Sequence, residues 1–346
     1  MDAVLSIRDL SVDFLTPRGP VHALRRVSVD VPRGSIVGIV GESGSGKSTL
    51  SLAAMGLLAP NAVVRGGQIL FDGANLLTMT AAQLRDLRGR RLSMVFQDPM
   101  TSLNPVLSVG TQMVDIQYRD RIGRSEKRRK AAEMLRRVGI PDPERRLDHH
   151  PHEFSGGMRQ RIAIAMGLLG NPELLIADEP TTALDVTMEA QIIHLLRQLR
   201  REFKGSILFI SHNLGLIAEL CDYVVILYAG EVVEQGTVQD IFHRPRHPYT
   251  EALLVCDPAR LEVLQRELPT IPGDVPNLLE APRACVFAAR CPKAFDRCHS
   301  ERPADHAVSE TQTARCHLAE SAAASVVTPA LARRSRANAL TSGDSA

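Results

Sequence analysis

Residues 36–49 read Ile-Val-Gly-Ile-Val-Gly-Glu-Ser-Gly-Ser-Gly-Lys-Ser-Thr. The segment starts as a short apolar run, becomes rich in glycine and ends in Gly46-Lys47-Ser48, with four residues between Gly41 and Gly46. This spacing is typical of a phosphate-binding loop. Glycines let backbone N–H groups turn inward toward phosphate oxygens, and the helix that follows adds its positive end. The sequence therefore predicts a nucleoside triphosphate site.

Within this loop, Lys47 is expected to reach the β- and γ-phosphates, and the Ser48 hydroxyl is expected to bind Mg²⁺. An ordinary Gly/Ser turn between a strand and a helix is the alternative, and the Lys47-Ser48 pair at the required offset argues against it. The loop residues expected to contact the nucleotide are Gly41, Ser43, Gly44, Ser45, Gly46, Lys47, Ser48 and Thr49.

The composition of the 346-residue chain is that of a globular protein, with 44% hydrophobic and 23% charged residues. A formal net charge of +2 gives no reason to expect nucleic acid as a partner. No segment approaches the roughly 20 apolar residues that a membrane-spanning helix needs. The first residues have neither a basic start nor an apolar run, so we expect no signal peptide and a cytoplasmic chain. Its six cysteines are then expected as reduced thiols or metal ligands.

Apolar periodicity predicts an α/β fold. Residues 4–14 and 21–31 alternate apolar and polar side chains, which predicts an antiparallel hairpin at one edge. Short apolar runs separated by helical stretches predict a mostly parallel sheet covered by helices. Residues 104–170 show few strand signals and predict a helical insertion. The apolar runs are 37–40, 69–71, 92–96, 174–177, 207–210 and 224–227. After the phosphate loop, a helix is predicted over residues 49–58.

Two further segments carry chemistry. Asp178 and Glu179 end an apolar strand, where Asp178 is placed to hold Mg²⁺ through water and Glu179 to polarise an attacking water. Ser155-Gly156-Gly157 precedes a strongly helical run and forms a second anion site. Because one chain has little need for two triphosphate sites, the second is expected to serve a neighbouring chain.

This combination resembles the nucleotide-binding subunits of ATP-binding cassette (ABC) transporters. Ser155-Gly156-Gly157 looks like the signature motif, Gln97 like the Q-loop glutamine, Ala183-Leu184-Asp185 like the D-loop and His212 like the switch histidine. The motifs occur in the family's order across residues 4–240. Three positions depart mildly from the usual pattern, namely Phe154, Met158 and Asn213.

The resemblance implies that two such domains pair head to tail and enclose two ATP molecules. In each site, Glu179 acts as the general base and His212 contacts the γ-phosphate, with Lys47 and Gln97 completing the catalytic group. Mg²⁺ is held by Ser48, Gln97 and Asp178. The second chain contributes Ser155, Gly156, Gly157 and Asp185. Phe14 is expected to stack on adenine, with a core phenylalanine as the alternative.

The C-terminal part resembles the extension of oligopeptide and dipeptide importer ATPases, through residues 246–254 and Ile271-Pro272-Gly273. The match is to the D-type subunit, which usually pairs with an F-type subunit, and it covers residues 4–318. It implies two membrane permease subunits, an extracytoplasmic peptide-binding protein and a place at the cytoplasmic face of the inner membrane. The alternatives are another cargo (nickel, glutathione or an oligosaccharide) or an ABC ATPase that acts on ribosomes or in DNA repair.

Four cysteines fall close together near the C-terminus, spaced by five, six and seventeen residues: Cys285, Cys291, Cys298 and Cys316. Four thiolates can close a metal site that stabilises a small segment. The resemblance favours a [4Fe–4S] cluster, with zinc second and free thiols third. Cys221 and Cys256 are expected to be buried small side chains.

The expected organisation therefore has four parts. Residues 1–103 and 171–240 form the nucleotide-binding core with its β subdomain, and residues 104–170 form a helical subdomain that carries the signature motif. Residues 241–318 form the C-terminal extension with its metal site, and residues 319–346 form a disordered tail.

Overall fold

The structure is a computed structural model, which describes residues 2–98, 102–181, 186–257 and 269–322. Its strands are β1 (Ala3–Thr16), β2 (Gly19–Pro32), β3 (Ile36–Val40), β4 (Ala62–Phe71), β5 (Ala74–Asn75), β6 (Leu92–Val95), β7 (Leu174–Asp178), β8 (Ser206–Ile210), β9 (Tyr223–Tyr228), β10 (Glu231–Thr237), β11 (His306–Ala307) and β12 (Thr313–Ala314). Its α-helices are α1 (Lys47–Ala54), α2 (Ala81–Leu87), α3 (Val109–Asp115), α4 (Arg124–Arg137), α5 (Pro143–Arg146), α6 (Gly156–Leu169), α7 (Val186–Glu202), α8 (Leu214–Leu220), α9 (Val238–His243), α10 (Pro248–Val255) and α11 (Asp296–Ser300).

The main sheet has eight strands in the order β11-β12-β10-β9-β3-β8-β7-β6. The run from β9 to β6 is parallel, and β10, β12 and β11 continue it as antiparallel strands. This confirms the predicted α/β fold with a mostly parallel sheet. Parallel strands place their carboxyl ends at one edge, where an α/β sheet binds its ligands.

Alternate residues of the parallel strands face two different cores. In β7, Leu174 and Ile176 pack into a core with β1, β2 and α1, whereas Leu175 and Ala177 pack into the core that the other helices share. Both faces of the strand are therefore covered, as its continuous apolar sequence requires. This burial fixes where β7 ends, and with it the position of the carboxylates that follow.

The predicted hairpin is confirmed, because β1 pairs antiparallel with β2 from Thr16↔Gly19 onward. Together with β4 and β5 these strands form a four-stranded sheet in the order β2-β1-β4-β5. Its inner face packs on the main sheet next to α1. The antiparallel β edge therefore covers the helix that begins at Lys47.

The stretch between β6 and β7 is helical, as predicted, and contains α3 to α6. Two predicted bounds were wrong. Helix α1 ends at Ala54 and not at residue 58, because Gly56 adopts a left-handed conformation with φ of 63°. Strand β6 ends at Val95, and Phe96 beyond it is exposed.

The C-terminal extension adds to the main sheet, since β12 pairs with β10 through Glu234↔Ala314. Order continues past the expected boundary at residue 318: Ala319 is buried against Val308 and Ala314, and residues 320–322 are helical. The remainder of the predicted tail, 323–346, lies outside the described residues. Within the described ranges, the helices are too short or too polar to cross a bilayer.

Candidate nucleotide-binding and catalytic site

The phosphate loop (residues 41–46) connects β3 to α1 at the carboxyl edge of the parallel sheet. Gly46 precedes the helix with φ of 104°, a conformation that other residues rarely adopt. A Cβ on Gly41 would lie 2.0 Å from the Leu227 carbonyl oxygen. The glycines predicted from spacing are therefore required by backbone geometry. Ser43, Gly44 and Ser48 are exposed, whereas Ser45 is buried.

Lys47, the first residue of α1, lies under this loop. Its Nζ donates hydrogen bonds to the carbonyl oxygens of Gly41 (2.8 Å) and Glu42 (3.1 Å) and lies 3.8 Å from Glu179 Oε1. Burial lowers the pKa of the ammonium, and the carboxylates of Glu179, Asp178 and Glu42 oppose that shift. The structure therefore places a buried cation between the loop and the acidic pair.

Asp178 ends β7 beside α1. Its Oδ2 accepts a hydrogen bond from Ser51 Oγ at 2.8 Å. Its Oδ1 is buried and has no hydrogen-bond partner in the described part of the chain. Burial raises the pKa of this carboxyl. The sequence prediction missed Ser51, although its place one helical turn after Ser48 puts it on the same helix face.

Glu179 occupies an unusual backbone conformation, with φ of 45° directly after β7. Such strain persists only where the surrounding structure holds it, and it clusters at functional sites. Here the Glu179 N–H donates to the Ile210 carbonyl oxygen at 2.9 Å. Its carboxylate Oε2 accepts from Gln97 Nε2 at 3.1 Å and lies 3.5 Å from His212 Nδ1. The hydrogen bond with Glu179 raises the pKa of His212.

The structure thus brings three of the predicted catalytic side chains together around the carboxylate of the fourth, Glu179. All four come from separate segments: the start of α1, the end of β6, the end of β7 and the residues after β8. The four side chains are those of Lys47, Gln97, Glu179 and His212.

The signature motif begins a different helix. Ser155 caps α6 by accepting a hydrogen bond from the Met158 N–H at 3.4 Å. Ser155 and Gly156 are exposed, and a Cβ on Gly156 would meet open space. Gly157 is buried against Met188, whose Cε would lie 2.7 Å from an added Cβ. A helix N-terminus with accessible N–H groups therefore faces solvent.

Two other predicted site residues stand apart. Phe14 is half-buried on β1, where it is paired between Val21 and Ala62 of the antiparallel sheet. Asp185, with the rest of residues 182–185, lies outside the described residues.

The four clustered cysteines lie in one region of the C-terminal extension. The Cys285 N–H donates to the Cys298 carbonyl oxygen at 3.1 Å. Burial, together with Cys298, Cys316 and Cys291, raises the pKa of Cys285 to about 11. All six cysteines of the chain are free thiols. Cys221 is buried as expected, but Cys256 is half-buried, because the end of α10 is partly open to solvent.

The structure does not support the predicted iron–sulfur site or its zinc alternative in the arrangement that it describes. Across residues 2–98, 102–181, 186–257 and 269–322, no group of three or more His, Cys, Asp or Glu side chains is positioned to hold a metal ion.

Sequence family models match two parts of the chain. The ABC transporter model matches residues 24–182, and the model of the oligopeptide/dipeptide transporter C-terminal region matches residues 233–298.

Curated relatives cover nearly the whole chain. A probable peptide ABC transporter ATP-binding protein (y4tR) of Sinorhizobium fredii is 48% identical over 91% of this chain and 95% of its own length. The dipeptide transport ATP-binding protein DppD of Bacillus subtilis is 47% identical over 92% of this chain and 95% of its own length. The oligopeptide transport ATP-binding protein OppD of Escherichia coli is 47% identical over 87% of this chain and 89% of its own length.

Solved structures agree in fold. The ATP-binding cassette MJ0796, in a dimeric post-hydrolysis state bound to ADP and Pi, superposes with a TM-score of 0.60 at 26% identity, over 68% of this chain and 98% of that one. The cbiO1 protein of Clostridium perfringens, part of an ABC transporter complex, superposes with a TM-score of 0.59 at 29% identity, over 70% of this chain and 92% of that one. The chain therefore belongs to the ABC transporter family as one of its ATP-binding proteins, the ATPases of that family, and carries the C-terminal region of the oligopeptide/dipeptide transporters.

Proposed function

We propose that this ATPase energises the import of dipeptides or oligopeptides through separate membrane subunits. The observation that carries the proposal is the joining of two features in one chain. A phosphate loop lies beside the catalytic group around Glu179, and residues 233–298 match the oligopeptide/dipeptide transporter C-terminal region. Relatives that are named as peptide, dipeptide and oligopeptide transport proteins align along almost their full length.

In this proposal the loop residues Gly41 to Thr49 bind the ATP phosphates, and Lys47 supplies the positive charge beside them. Ser48, Gln97 and Asp178 hold Mg²⁺, which when bound neutralises phosphate charge. The residues present fit such an ion, because the buried Asp178 Oδ1 lacks a hydrogen-bond partner among the described residues and a hard oxygen ligand is what Mg²⁺ prefers.

Glu179 acts as the general base and takes a proton from the attacking water at its carboxylate oxygen. Gln97 and His212 already contact that oxygen and orient it. His212 also offers a contact for the γ-phosphate. Phe14 offers an aromatic face for adenine, in keeping with its half-buried place on the antiparallel sheet.

The second half of each ATP site comes from another chain. Ser155, Gly156 and Gly157 are the groups that reach the partner's nucleotide, and Asp185 crosses the same interface. The exposed N-terminus of α6 supports this assignment, because its N–H groups are available to an anion outside the chain. Ser155→Arg is expected to abolish hydrolysis at the partner's site while ATP still binds the phosphate loop of the same chain, since the variant blocks only the partner's site.

The partners in this proposal are a second ATPase subunit of the F type, two membrane permease subunits and an extracytoplasmic peptide-binding protein. The chain then works at the cytoplasmic face of the inner membrane. Residues 1–103 and 171–240 serve as the nucleotide-binding core, 104–170 as the helical subdomain with the signature, and 241–318 as the C-terminal extension.

The cargo is tested in the reconstituted transporter, with its permeases and binding protein, in liposomes. Candidate peptides are expected to accumulate inside and to stimulate ATP hydrolysis. Nickel, glutathione and oligosaccharides serve as competing cargoes in parallel vesicles. Stimulation and accumulation with one of those three, but not with peptides, would overturn the peptide assignment and leave the ATPase assignment intact.

We further infer that Cys285, Cys291, Cys298 and Cys316 hold a [4Fe–4S] cluster, with zinc as the alternative. The support is chemical: the four thiols are buried or half-buried in one region, where burial and the neighbouring cysteines raise the pKa of Cys285, Cys291 and Cys316, and four thiolates suit such a cluster. Iron and sulfide analysis of anaerobically prepared protein, with an absorbance spectrum, tests the inference. A colourless protein with one zinc per chain would replace the cluster by zinc, and a metal-free chain would refute both.

A further inference from the structure

The C-terminal extension reaches back to the phosphate loop through one ion pair. Arg290 donates two parallel hydrogen bonds to the Glu42 carboxylate, from Nη1 to Oε2 at 2.7 Å and from Nη2 to Oε1 at 3.0 Å. The two residues are 248 positions apart. The Arg290 side chain is 4% exposed and that of Glu42 is 28% exposed. A two-pronged, mostly buried pair of this kind fixes geometry as well as charge.

Glu42 is also held through its backbone. Its N–H donates to the Tyr249 hydroxyl at 3.0 Å, and Tyr249 belongs to α10 of the extension. Its carbonyl oxygen accepts from Lys47 Nζ at 3.1 Å. Of the three contacts that Glu42 makes, those with Arg290 and Tyr249 come from the extension, and the third joins its carbonyl oxygen to Lys47. The position of Lys47 therefore depends on where the extension holds Glu42.

Arg290 is itself rigidly placed. Its remaining N–H groups donate to the carbonyl oxygens of Pro272 (3.0 Å) and Ile271 (3.0 Å) and to the Tyr228 hydroxyl (3.2 Å). Tyr228 packs edge-on against Phe287, with ring centroids 5.3 Å apart. The guanidinium therefore cannot follow Glu42 if the loop moves.

Arg290, which contacts Glu42, lies within the segment that carries the cysteines. Arg290 ends a short 3₁₀ turn, Ala288–Arg290, whose first N–H donates to the Cys285 carbonyl oxygen at 3.1 Å. Cys291 follows directly and donates its N–H to the Ala288 carbonyl oxygen at 3.3 Å. The segment between Cys285 and Cys291 therefore contacts the phosphate loop through Arg290.

We propose that Arg290 is a positioning residue for the phosphate loop, through which the C-terminal extension sets the affinity of the site for ATP. This proposal rests on the proposed function of the loop as an ATP site. Without the guanidinium, the half-buried Glu42 carboxylate would be left unpaired beside a ligand that carries several negative charges, and its backbone carbonyl would lose its fixed place next to Lys47.

The first test measures ATP affinity by calorimetry on the full-length chain. Arg290→Ala is expected to weaken ATP binding about tenfold, the scale of a lost charge-assisted hydrogen bond. Arg290→Lys keeps the charge but not the two-pronged geometry, and should restore part of the affinity. Arg244→Ala is the matched control, because Arg244 pairs with Asp240 in a carboxylate contact that does not involve the phosphate loop.

A second measurement separates positioning from general destabilisation. If Arg290 acts through Glu42, then Arg290→Ala should have little effect on affinity in a Glu42→Gln background, so the two substitutions are not additive. By reciprocity, ATP should slow amide hydrogen exchange of residues 285–291 in the original chain, and this protection should be lost in Arg290→Ala.

The inference is overturned if Arg290→Ala binds ATP like the original chain, or if its loss of affinity is equally large in the Glu42→Gln background. It is also overturned if ATP leaves exchange of residues 285–291 unchanged. Failure of the proposed function looks different, because the unmodified chain itself would then neither bind nor hydrolyse ATP.

Discussion

Gln97 Nε2 donates a hydrogen bond to Glu179 Oε2 at 3.1 Å, although the two residues are 82 positions apart. Each follows a parallel strand, β6 and β7, and these strands are neighbours in the main sheet. Parallel pairing therefore places both side chains at the same edge. The contact links the segment that leads into the helical subdomain to the proposed general base.

His212→Ala should slow ATP hydrolysis about a hundredfold, the scale of a lost catalytic contact in proton transfer. His212 Nδ1 lies 3.5 Å from Glu179 Oε2 and orients it. In the proposed site the phosphate loop and Lys47 supply most of the contacts with ATP and His212 supplies one contact with the γ-phosphate, so ATP affinity should fall far less than turnover. Steady-state turnover and calorimetry check the two quantities, and a variant with full turnover would contradict the role given to His212.

Ser51→Ala should raise the Mg²⁺ concentration needed for half-maximal ATP hydrolysis. Ser51 Oγ donates to Asp178 Oδ2 at 2.8 Å, and its loss frees the carboxylate to turn away from the ion site. Saturating Mg²⁺ should restore turnover. Ser206→Ala is the matched control, a buried serine at the start of β8 far along the chain from the loop. An unchanged Mg²⁺ dependence in Ser51→Ala would be evidence against Asp178 as a ligand of Mg²⁺.

Gly46→Ala should destabilise the chain by about 1–3 kcal/mol, because φ is strained and the new Cβ meets backbone. That Cβ would lie 2.9 Å from the Ala23 carbonyl oxygen, at φ of 104°. Gly44→Ala separates strain from crowding, since Gly44 has φ of 78° but nothing within 4 Å of an added Cβ. Urea unfolding should rank Gly46→Ala as the less stable variant; equal stabilities would mean that the steric argument is wrong.

Acid should weaken the fold through His247. Burial lowers the pKa of this histidine from 6.5 to about 3, and its Nδ1 accepts the Tyr249 N–H at 3.0 Å, so the folded chain holds it neutral. The unfolded chain binds a proton there below about pH 6.5, so stability falls as pH drops below that value. At about pH 4.5 the loss is on the order of 3 kcal/mol.

His247→Asn isolates this contribution to pH dependence. Asparagine can accept the same N–H bond as a helix cap but does not titrate. Urea unfolding of both proteins at several pH values should give a flatter pH dependence for the variant. Parallel curves for the two proteins would remove His247 as the cause.

Much of this molecule could be predicted from local sequence. The strands and the phosphate loop have their own signals, since burial on both faces makes β7 continuously apolar and the left-handed φ of Gly46 demands glycine. The site around Glu179 followed from motif order, because parallel strands bring their ends together. The ends of elements were less predictable: a single residue, Gly56, stopped α1 early.

The contacts between distant segments could not be predicted. Arg290 has no periodic or motif signal that ties it to Glu42, and only the packing of the extension against the core brings them together. The pairing of β12 with β10 is similar, because a two-residue strand carries no pattern of its own. The thiol cluster was expected from composition, but the spacing of the cysteines does not fix how their sulfur atoms are arranged.

The most direct test of the account is ATP turnover and binding by Glu179→Gln. Glutamine keeps the size and the contact with Gln97 and His212 but cannot take a proton, so the variant should bind ATP, remain associated with its partner ATPase subunit and lose hydrolysis. Phosphate release, with calorimetry and size-exclusion chromatography in ATP and Mg²⁺, measures all three properties. Hydrolysis at the rate of the unmodified protein would contradict the assignment of Glu179 as general base.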